Sequence, residues 1–413
     1  MEKRKRVTLI LLLGLLSALG PFSIDMYLPG FPAIADDLGT SVDAISYSLS
    51  SFFVGICIGQ IICGPLLDRY GRKRPLIGGL VLYILASVGC ALATSIEVLI
   101  LFRFLQALGG CVGMVAPRAI VRDVFPVEEN AKVFSLLILI LGVSPIIAPT
   151  AGSFVIANYG WHQVFVILAI ATTLLLVAVY FFLRESRPPD PQFSLRPAPI
   201  LRAFGSVLKV PQFYTYAIAG GLVSAALFAY LSGSPFVFMN LYGLSEQQYG
   251  WIFGLVAAGL ITTSQLNNLL LKKYNSEQII RVTITLQSLI GLTLVLGTYL
   301  NWFGLAGIIT CIALFLSCQG FSFPNASALS MAPFTKEAGS ASALLGAMQM
   351  GLGALASALV GVFNNGTAVP LAAVMAACAV LGWMILLMGR RQIAYQCRQA
   401  DVNEQTLEMI ETV

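Results

Sequence analysis

The chain has 413 residues, of which 58% are apolar and only 10% are charged, and its formal net charge is +5. A soluble globular domain does not carry so large an apolar fraction, so the composition excludes that class. A membrane-spanning helix needs ~20 apolar residues, and the chain consists mostly of such runs, without the short alternation of β-barrel strands. The sequence therefore predicts an all-α membrane protein with many spans.

The first apolar run follows the bases Lys3-Arg4-Lys5-Arg6, as the apolar run of a signal peptide does. We predict an uncleaved first span instead, because the run continues past Gly20-Pro21 without a small-x-small cleavage site. Twelve spans are predicted, over residues 7–28, 43–66, 76–95, 97–121, 132–156, 162–183, 212–239, 247–271, 278–299, 303–324, 338–362 and 369–389.

The spans fall into two sets of six, separated by a charged, proline-rich stretch. Residues 270–275 echo residues 66–71, which indicates that the two sets are related. The predicted organisation is an N-terminal six-helix half over 1–183, a linker over 184–210, a C-terminal six-helix half over 211–389 and a polar tail over 390–413.

Every Lys and Arg except Arg103 falls at alternate ends of the predicted spans, on one side. Because basic loops remain in the cytoplasm, both termini and the linker are expected on the cytoplasmic side of a bacterial inner membrane. Trp161 and Trp302 lie at the opposite boundary, where interfacial aromatic residues are common.

Catalytic and metal-binding residue types are scarce. Seven of the eight cysteines lie in apolar runs, which favours small buried residues over a disulfide framework. The sole histidine, His162, excludes a His-based metal site, and no G-x-x-x-x-G-K-[ST] motif is present. We expect neither enzyme activity nor a cofactor.

The loop between spans two and three, residues 64–75, is basic and turn-forming, and Gly71 suits a left-handed conformation. The positions that define its pattern are Gly64, Asp68, Arg69, Gly71 and Arg72. By composition this is a tight basic turn. Its spacing resembles the signature loop of the major facilitator superfamily. That resemblance implies two parallel six-helix halves, docked by this loop, with Asp68 on the positive end of the helix that begins after residues 338–340.

Asp25 is predicted in the outer part of span one, within Ser23-Ile24-Asp25-Met26-Tyr27-Leu28-Pro29. An acid at membrane depth is costly and is a functional hypothesis by default. The alternative is that the span ends earlier and Asp25 is a solvated helix-end acid. The run resembles the bicyclomycin and chloramphenicol/florfenicol exporters, a subfamily of proton-coupled drug antiporters. This resemblance implies that Asp25 couples proton and substrate movement.

Arg103 lies mid-span in a run that resembles the superfamily's Arg-x-x-Gln-Gly motif, with Ala107 in place of the first glycine. A buried Arg must find carbonyls, water or an acid. We expect Arg103 to line the polar interior and to influence the protonation of Asp25. Holding span four to span one is an equally open alternative.

Two further segments resemble family motifs. Arg118, Arg122 and Asp123 lie near the cytoplasmic end of span four. We predict that Arg122 and Asp123 take part in gating. Arg118 is either a gating residue or a solvated base at the cavity mouth. Span five contains a run that resembles the motif typical of antiporters, with Ala148 where glycine is usual. The alternative is that it is an ordinary kinked span. The positions of this motif, which we expect to let span eleven approach, are Gly142, Pro145, Pro149 and Gly152.

Aromatic and polar residues near the bundle centre are candidates for a broad apolar pocket, although most aromatic residues of membrane proteins serve packing. The candidates are Tyr27, Gln106, Phe228, Tyr230, Phe236, Gln265 and Asn268. The run Gly233-Ser234-Pro235-Phe236 also resembles the exporter subfamily.

The predicted protein is a monomeric, twelve-span exporter of small drug-like compounds, driven by protons, in a lipid bilayer and without nucleic acid. An exporter of a sugar or an amino acid is the near alternative. A receptor without transport activity is the distant one, and it would not need Asp25 and Arg103 inside the bundle.

Overall fold

The computed structural model describes residues 3–125, 127–190, 197–334 and 338–411. All regular secondary structure in these ranges is helical. The helices are α1 (Lys3–Asp25), α2 (Phe31–Asp37), α3 (Val42–Tyr70), α4 (Lys73–Ala91), α5 (Ile96–Val124), α6 (Val127–Tyr159), α7 (His162–Phe182), α8 (Pro197–Leu208), α9 (Pro211–Pro235), α10 (Glu246–Leu270), α11 (Ser276–Tyr299), α12 (Leu305–Met331), α13 (Ala338–Val362) and α14 (Val369–Glu411). A 3₁₀ turn (Leu28–Gly30) follows α1, and a π-helix (Phe236–Leu241) follows α9.

Helix boundaries follow local capping chemistry. Ser245 and Asn275 each accept a hydrogen bond from the third backbone N–H of the helix they precede, and the Gln at that position bonds back to the cap. Helix α3 ends at Gly71, whose φ of 81° is in the left-handed region that favours glycine. These signals explain why the predicted spans agree with the long helices to within a few residues at most ends.

Eleven helices among the described residues are long and apolar enough to cross a membrane. The predicted fifth span lies inside α6. The surroundings of several residues of this helix, Gly142 among them, lie outside the described part of the chain. The expected polar tail is not a separate segment, because α14 continues through it from the last span to Glu411. The linker holds the short helix α8, which packs on α9 and α13.

The long helices pack as two groups, α1 with α3–α7 and α9–α14, which meet along two seams. In the first seam α3 packs against α13, and in the second α6 packs against α10. We call the end of the bundle that carries Asp68 and residues 184–190 the linker face, and the end that carries residues 38–41 and 363–368 the far face.

The seam between α3 and α13 is closed by small residues. Near the far face, the Nδ2 of Asn364 donates to a carboxylate oxygen of Asp43. Deeper in the bundle, the hydroxyls of Ser50 and Ser357 lie 2.7 Å apart, and the Cys57 thiol donates to the backbone oxygen of Ala347 at 3.2 Å. The two groups therefore touch from the far face to about the middle of the bundle.

Candidate coupling site and signature loop

Asp25 ends α1 and is buried, with 5% of its surface exposed. The alternative that it is a solvated helix-end acid is therefore wrong. Among the residues that the structure describes, none donates a hydrogen bond to its carboxyl or forms an ion pair with it. Because burying an unpaired charge is expensive, an acid in this position is a functional candidate.

Close packing of α6 against α1 fixes the backbone beside Asp25. A side-chain carbon at Gly152 would overlap the backbone oxygen of Met26 and lie 2.8 Å from its Cα. Only glycine permits this approach. The motif of span five thus packs on span one, which is α1, and on span eight, which is α10. The expectation that it lets span eleven, which is α13, approach is wrong.

The other side of the same turn of α6 meets the second group of helices. The hydroxyl of Ser153 lies 2.9 Å from the backbone oxygen of Glu246 and 2.8 Å from that of Pro149, so it can donate to either. A side-chain carbon at Gly250 would lie 3.0 Å from the Ser153 hydroxyl. Residues 149–153 are therefore held between the end of α1 and the start of α10.

Two buried tyrosines of the second group, Tyr230 on α9 and Tyr249 on α10, lie on the helices that contact the 3₁₀ turn after Asp25. The Tyr249 hydroxyl is 3.0 Å from that of Ser234, whereas the Tyr230 hydroxyl is buried and has no partner among the described residues. Both rings pack on Phe253, with centroid distances of 5.8 Å and 6.0 Å.

Arg103 is completely buried and forms no ion pair with Asp25. Its Nη1 donates to Oε1 of Gln106 at 2.6 Å. Its guanidinium lies 4.7 Å from the ring centre of Tyr27, 4.2 Å from Phe52 and 5.7 Å from Phe165, so cation–π contacts enclose it. This geometry ties α5 to α3, α7 and the turn after α1. Any influence of Arg103 on Asp25 does not run through an ion pair.

The signature loop is organised by Arg72, which is 5% exposed. Its Nε donates to Asp123 at 2.7 Å and its Nη1 to Asp68 at 2.8 Å. Burial alone would lower the pKa of Arg72, but the hydrogen bonds and charges of Asp123 and Asp68 outweigh it and raise that pKa above its ordinary value. Asp123 therefore belongs to the charge network of the loop.

The linker completes this network. Glu185 accepts hydrogen bonds from the backbone N–H groups of Arg72, at 2.6 Å, and Lys73, at 3.1 Å, at the start of α4. Ser186 donates to Asp123 at 3.2 Å. An acid at a helix N-terminus satisfies unpaired N–H groups and favours the helix dipole. The first residues of the linker are thus docked on the signature loop.

The structure corrects the expected role of Asp68. Its ion pairs run to Arg72 and, at 3.4 Å, to Arg187 of the linker. Gly339 of the expected partner helix has no neighbouring atom within 4 Å of a side-chain carbon built on it, and residues 335–337 lie outside the described residues. Asp68 thus joins the first group of helices to the linker.

The remaining positions of the loop and of span four differ in their surroundings. Arg69 lies in the last turn of α3, and Gly64 has open space beside it. Arg118 and Arg122 are both exposed on α5, and Arg122 forms no ion pair within the described ranges. Asp123, next to Arg122 in sequence, pairs with Arg72 instead.

The sequence profile of the Major Facilitator Superfamily matches residues 13–358. The chain belongs to the major facilitator superfamily. This transporter is 37% identical over 381 residues to the MFS-type transporter YdgK of Bacillus subtilis, a match that covers 92% of the chain and 94% of YdgK.

Other relatives of the transporter carry names that refer to resistance. It is 29% identical to the bicyclomycin resistance protein homolog of Haemophilus influenzae, covering 92% of the chain and 95% of that protein. It is 31% identical to the multidrug resistance protein MdtL of Escherichia coli, and the match covers 89% of the chain and 92% of that protein. In fold it resembles a bacterial homolog of the human lysosomal transporter Spinster in an inward-facing, occupied conformation, with a TM-score of 0.71 and 17% sequence identity. That match covers 95% of the chain and 98% of the homolog.

Most of the predicted cavity residues do not border open space in this conformation of the transporter. Tyr27, Gln106 and Tyr230 are at most 1% exposed, and the Tyr27 hydroxyl bonds to that of Ser48. Phe228 packs edge-on against Phe53 across the two groups, with 4.5 Å between ring centres. Phe236 is partly buried in the π-helix, and Gln265 and Asn268 are exposed.

Sequence reasoning missed three parts of this arrangement. Glu185 could have been found as a lone acid between two bases at the end of span six. No comparable signal marks Tyr249, because only helix packing places its helix beside the turn after Asp25. The same holds for Asp43 and Asn364, which meet at the far face.

Proposed function

We propose that this transporter exports small amphipathic, drug-like compounds in exchange for protons. The observation that carries the proposal is Asp25, a carboxyl that is 5% exposed, has no hydrogen-bond or ion-pair partner among the described residues, and lies where the two groups of helices meet. An ionisable group in such a position marks a proton or ion pathway by default. The resistance proteins among the relatives support drug-like substrates.

The proposed cycle is alternating access between two halves, residues 1–183 and 211–389, joined by the linker 184–210. The far face is closed in this structure by the seam that includes Ser50 and Ser357. We place the linker face and both termini in the cytoplasm, in a bacterial inner membrane, because the bases collect there. The transporter would work as a monomer.

In the outward-open state a proton from outside neutralises Asp25 and displaces the substrate. After the halves rock to the inward-open state, the carboxyl releases the proton to the cytoplasm and a new substrate binds. One elementary charge moved through 100 mV is worth ~2.3 kcal/mol, so a single acid can drive useful accumulation outside.

The test is proton release from energised everted vesicles after addition of chloramphenicol, bicyclomycin or ethidium, in wild type and Asp25→Asn. Asparagine keeps the size of the side chain but cannot bind and release a proton. We expect a response in the wild type and none in the variant, at equal amounts of inserted protein. Normal proton-coupled export by Asp25→Asn would refute the assignment. Silence of the wild type to all three compounds would refute the substrate class.

A further inference from the structure

The start of α10 and the end of α1 approach the same turn of α6 from two sides. Gly152 packs on Met26, the residue after Asp25, and Gly250, the residue after Tyr249, packs on Pro149 and Ser153. The 3₁₀ turn that follows Asp25 also contacts both α9 and α10. This packing places the end of α1, from the N-terminal half, beside the two helices of the C-terminal half that carry Tyr230 and Tyr249.

Several other ionisable or charged groups lie on the elements packed around this end of α1. They are Asp36 and Asp37 on α2, Tyr83 on α4, Arg103 on α5, Tyr159 on α6, His162 on α7, Tyr230 on α9, and Glu246 and Tyr249 on α10. Tyr83 bonds to Ser23, and His162 lies 3.7 Å from Asp37. Within the described part of the chain, Tyr230 is the tyrosine whose buried hydroxyl has no partner.

We propose that the hydroxyls of Tyr230 and Tyr249 donate hydrogen bonds to the Asp25 carboxylate once it has lost its proton. The inference rests on the proposed function and identifies positioning residues for its coupling acid. The phenols keep their own protons, because an ordinary tyrosine loses its proton only near pH 10. The proton released by Asp25 passes to water.

The consequence is that the charge state of an acid in one half is sensed by the other half. A protonated Asp25 needs no donor, so both phenols can keep the arrangement described here, with Tyr249 beside Ser234 and no bond from either hydroxyl to Asp25. A charged Asp25 draws both hydroxyls and thereby binds α9 and α10 to the end of α1. Phe253 packs against both rings and so orients the two phenols as one cluster.

The experiment reads the protonation of Asp25 directly and needs no substrate. Dicyclohexylcarbodiimide, an apolar reagent, modifies protonated carboxyls in membrane proteins, so the pH at which labelling of Asp25 falls by half reports its titration. Full-length protein in proteoliposomes would be labelled between pH 5 and pH 10, and Asp25 modification quantified by peptide mass spectrometry. The variants are Tyr230→Phe, Tyr249→Phe and Ser234→Ala, with Tyr242→Phe as the control outside the cluster.

Loss of a hydrogen bond to a charged group should move the midpoint to higher pH by about one to two units in Tyr230→Phe, and in the same direction in Tyr249→Phe. Ser234→Ala frees the Tyr249 hydroxyl for Asp25, so its midpoint should move to lower pH. A general loosening of the fold would not produce shifts of opposite sign. Tyr242→Phe should match the wild type.

Wild-type midpoints in both tyrosine variants would overturn this inference and leave the proposed function intact. The proposed function has its own test, because the absence of drug-induced proton release in the wild type would refute it whatever the labelling midpoints are. If a phenylalanine variant does not insert, the Ser234→Ala midpoint decides: a shift to lower pH supports the inference, and no shift overturns it.

Discussion

Replacement of Gly152 by alanine should separate the packing beside Asp25 from the chemistry of the acid itself. The new methyl group would overlap the backbone oxygen of Met26 and lie 2.8 Å from both the Cα and the carbonyl carbon of that residue. These are main-chain atoms, so no side chain can rotate away. Helix α1 or α6 must move, and overpacking of this kind costs about 1–3 kcal/mol.

The expected result of Gly152→Ala is a lower midpoint of thermal unfolding in detergent and a loss of drug-induced proton release from everted vesicles. The matched control is Gly254→Ala in α10, where a side-chain carbon has no neighbour within 4 Å. Alanine there should leave both measurements unchanged or raise the midpoint slightly, because it is the better helix former. Wild-type stability and wild-type proton release in Gly152→Ala would refute the close approach of α6 to α1.

Two further predictions concern the faces of the bundle. Glu185→Gln removes the negative charge beside the N–H groups of Arg72 and Lys73 but keeps one accepting oxygen, so it should lower the free energy of unfolding by about 0.3–1 kcal/mol, measured by thermal unfolding. An unchanged midpoint would contradict the docked linker. Asn364→Asp places a second carboxylate beside Asp43, and repulsion should speed hydrogen–deuterium exchange of residues 363–368 at pH 7 relative to wild type. Equal exchange at pH 7 would contradict a far-face contact.

The sequence predicted the helices well because span length and capping are local properties. Ser245 and Asn275 illustrate this, since each cap and its Gln partner lie within four residues. The burial of Asp25 was also predictable, because a membrane span has few places for an acid. The partners of buried groups were not predictable in the same way.

Arg103 shows why. From the sequence, the buried base and the buried acid look like natural partners, but three aromatic rings, from α3, α7 and the turn after α1, enclose the guanidinium. Asp68 shows the same limit at the linker face, where Arg187 is 119 positions away in sequence and yet forms the contact. Such pairings depend on how helices assemble, and no spacing rule encodes them.

The docked linker has a mechanical consequence. Its first residues are bonded to the signature loop, and α8 packs on α9 and α13 through the buried Val207. Residues 188–196 connect the docked end of the linker to the start of α8. A strand of nine residues reaches ~30 Å when fully extended. While both attachments hold, this tether sets an upper limit on how far the start of α8 can move from the signature loop, and therefore on how wide the linker face can open on that flank.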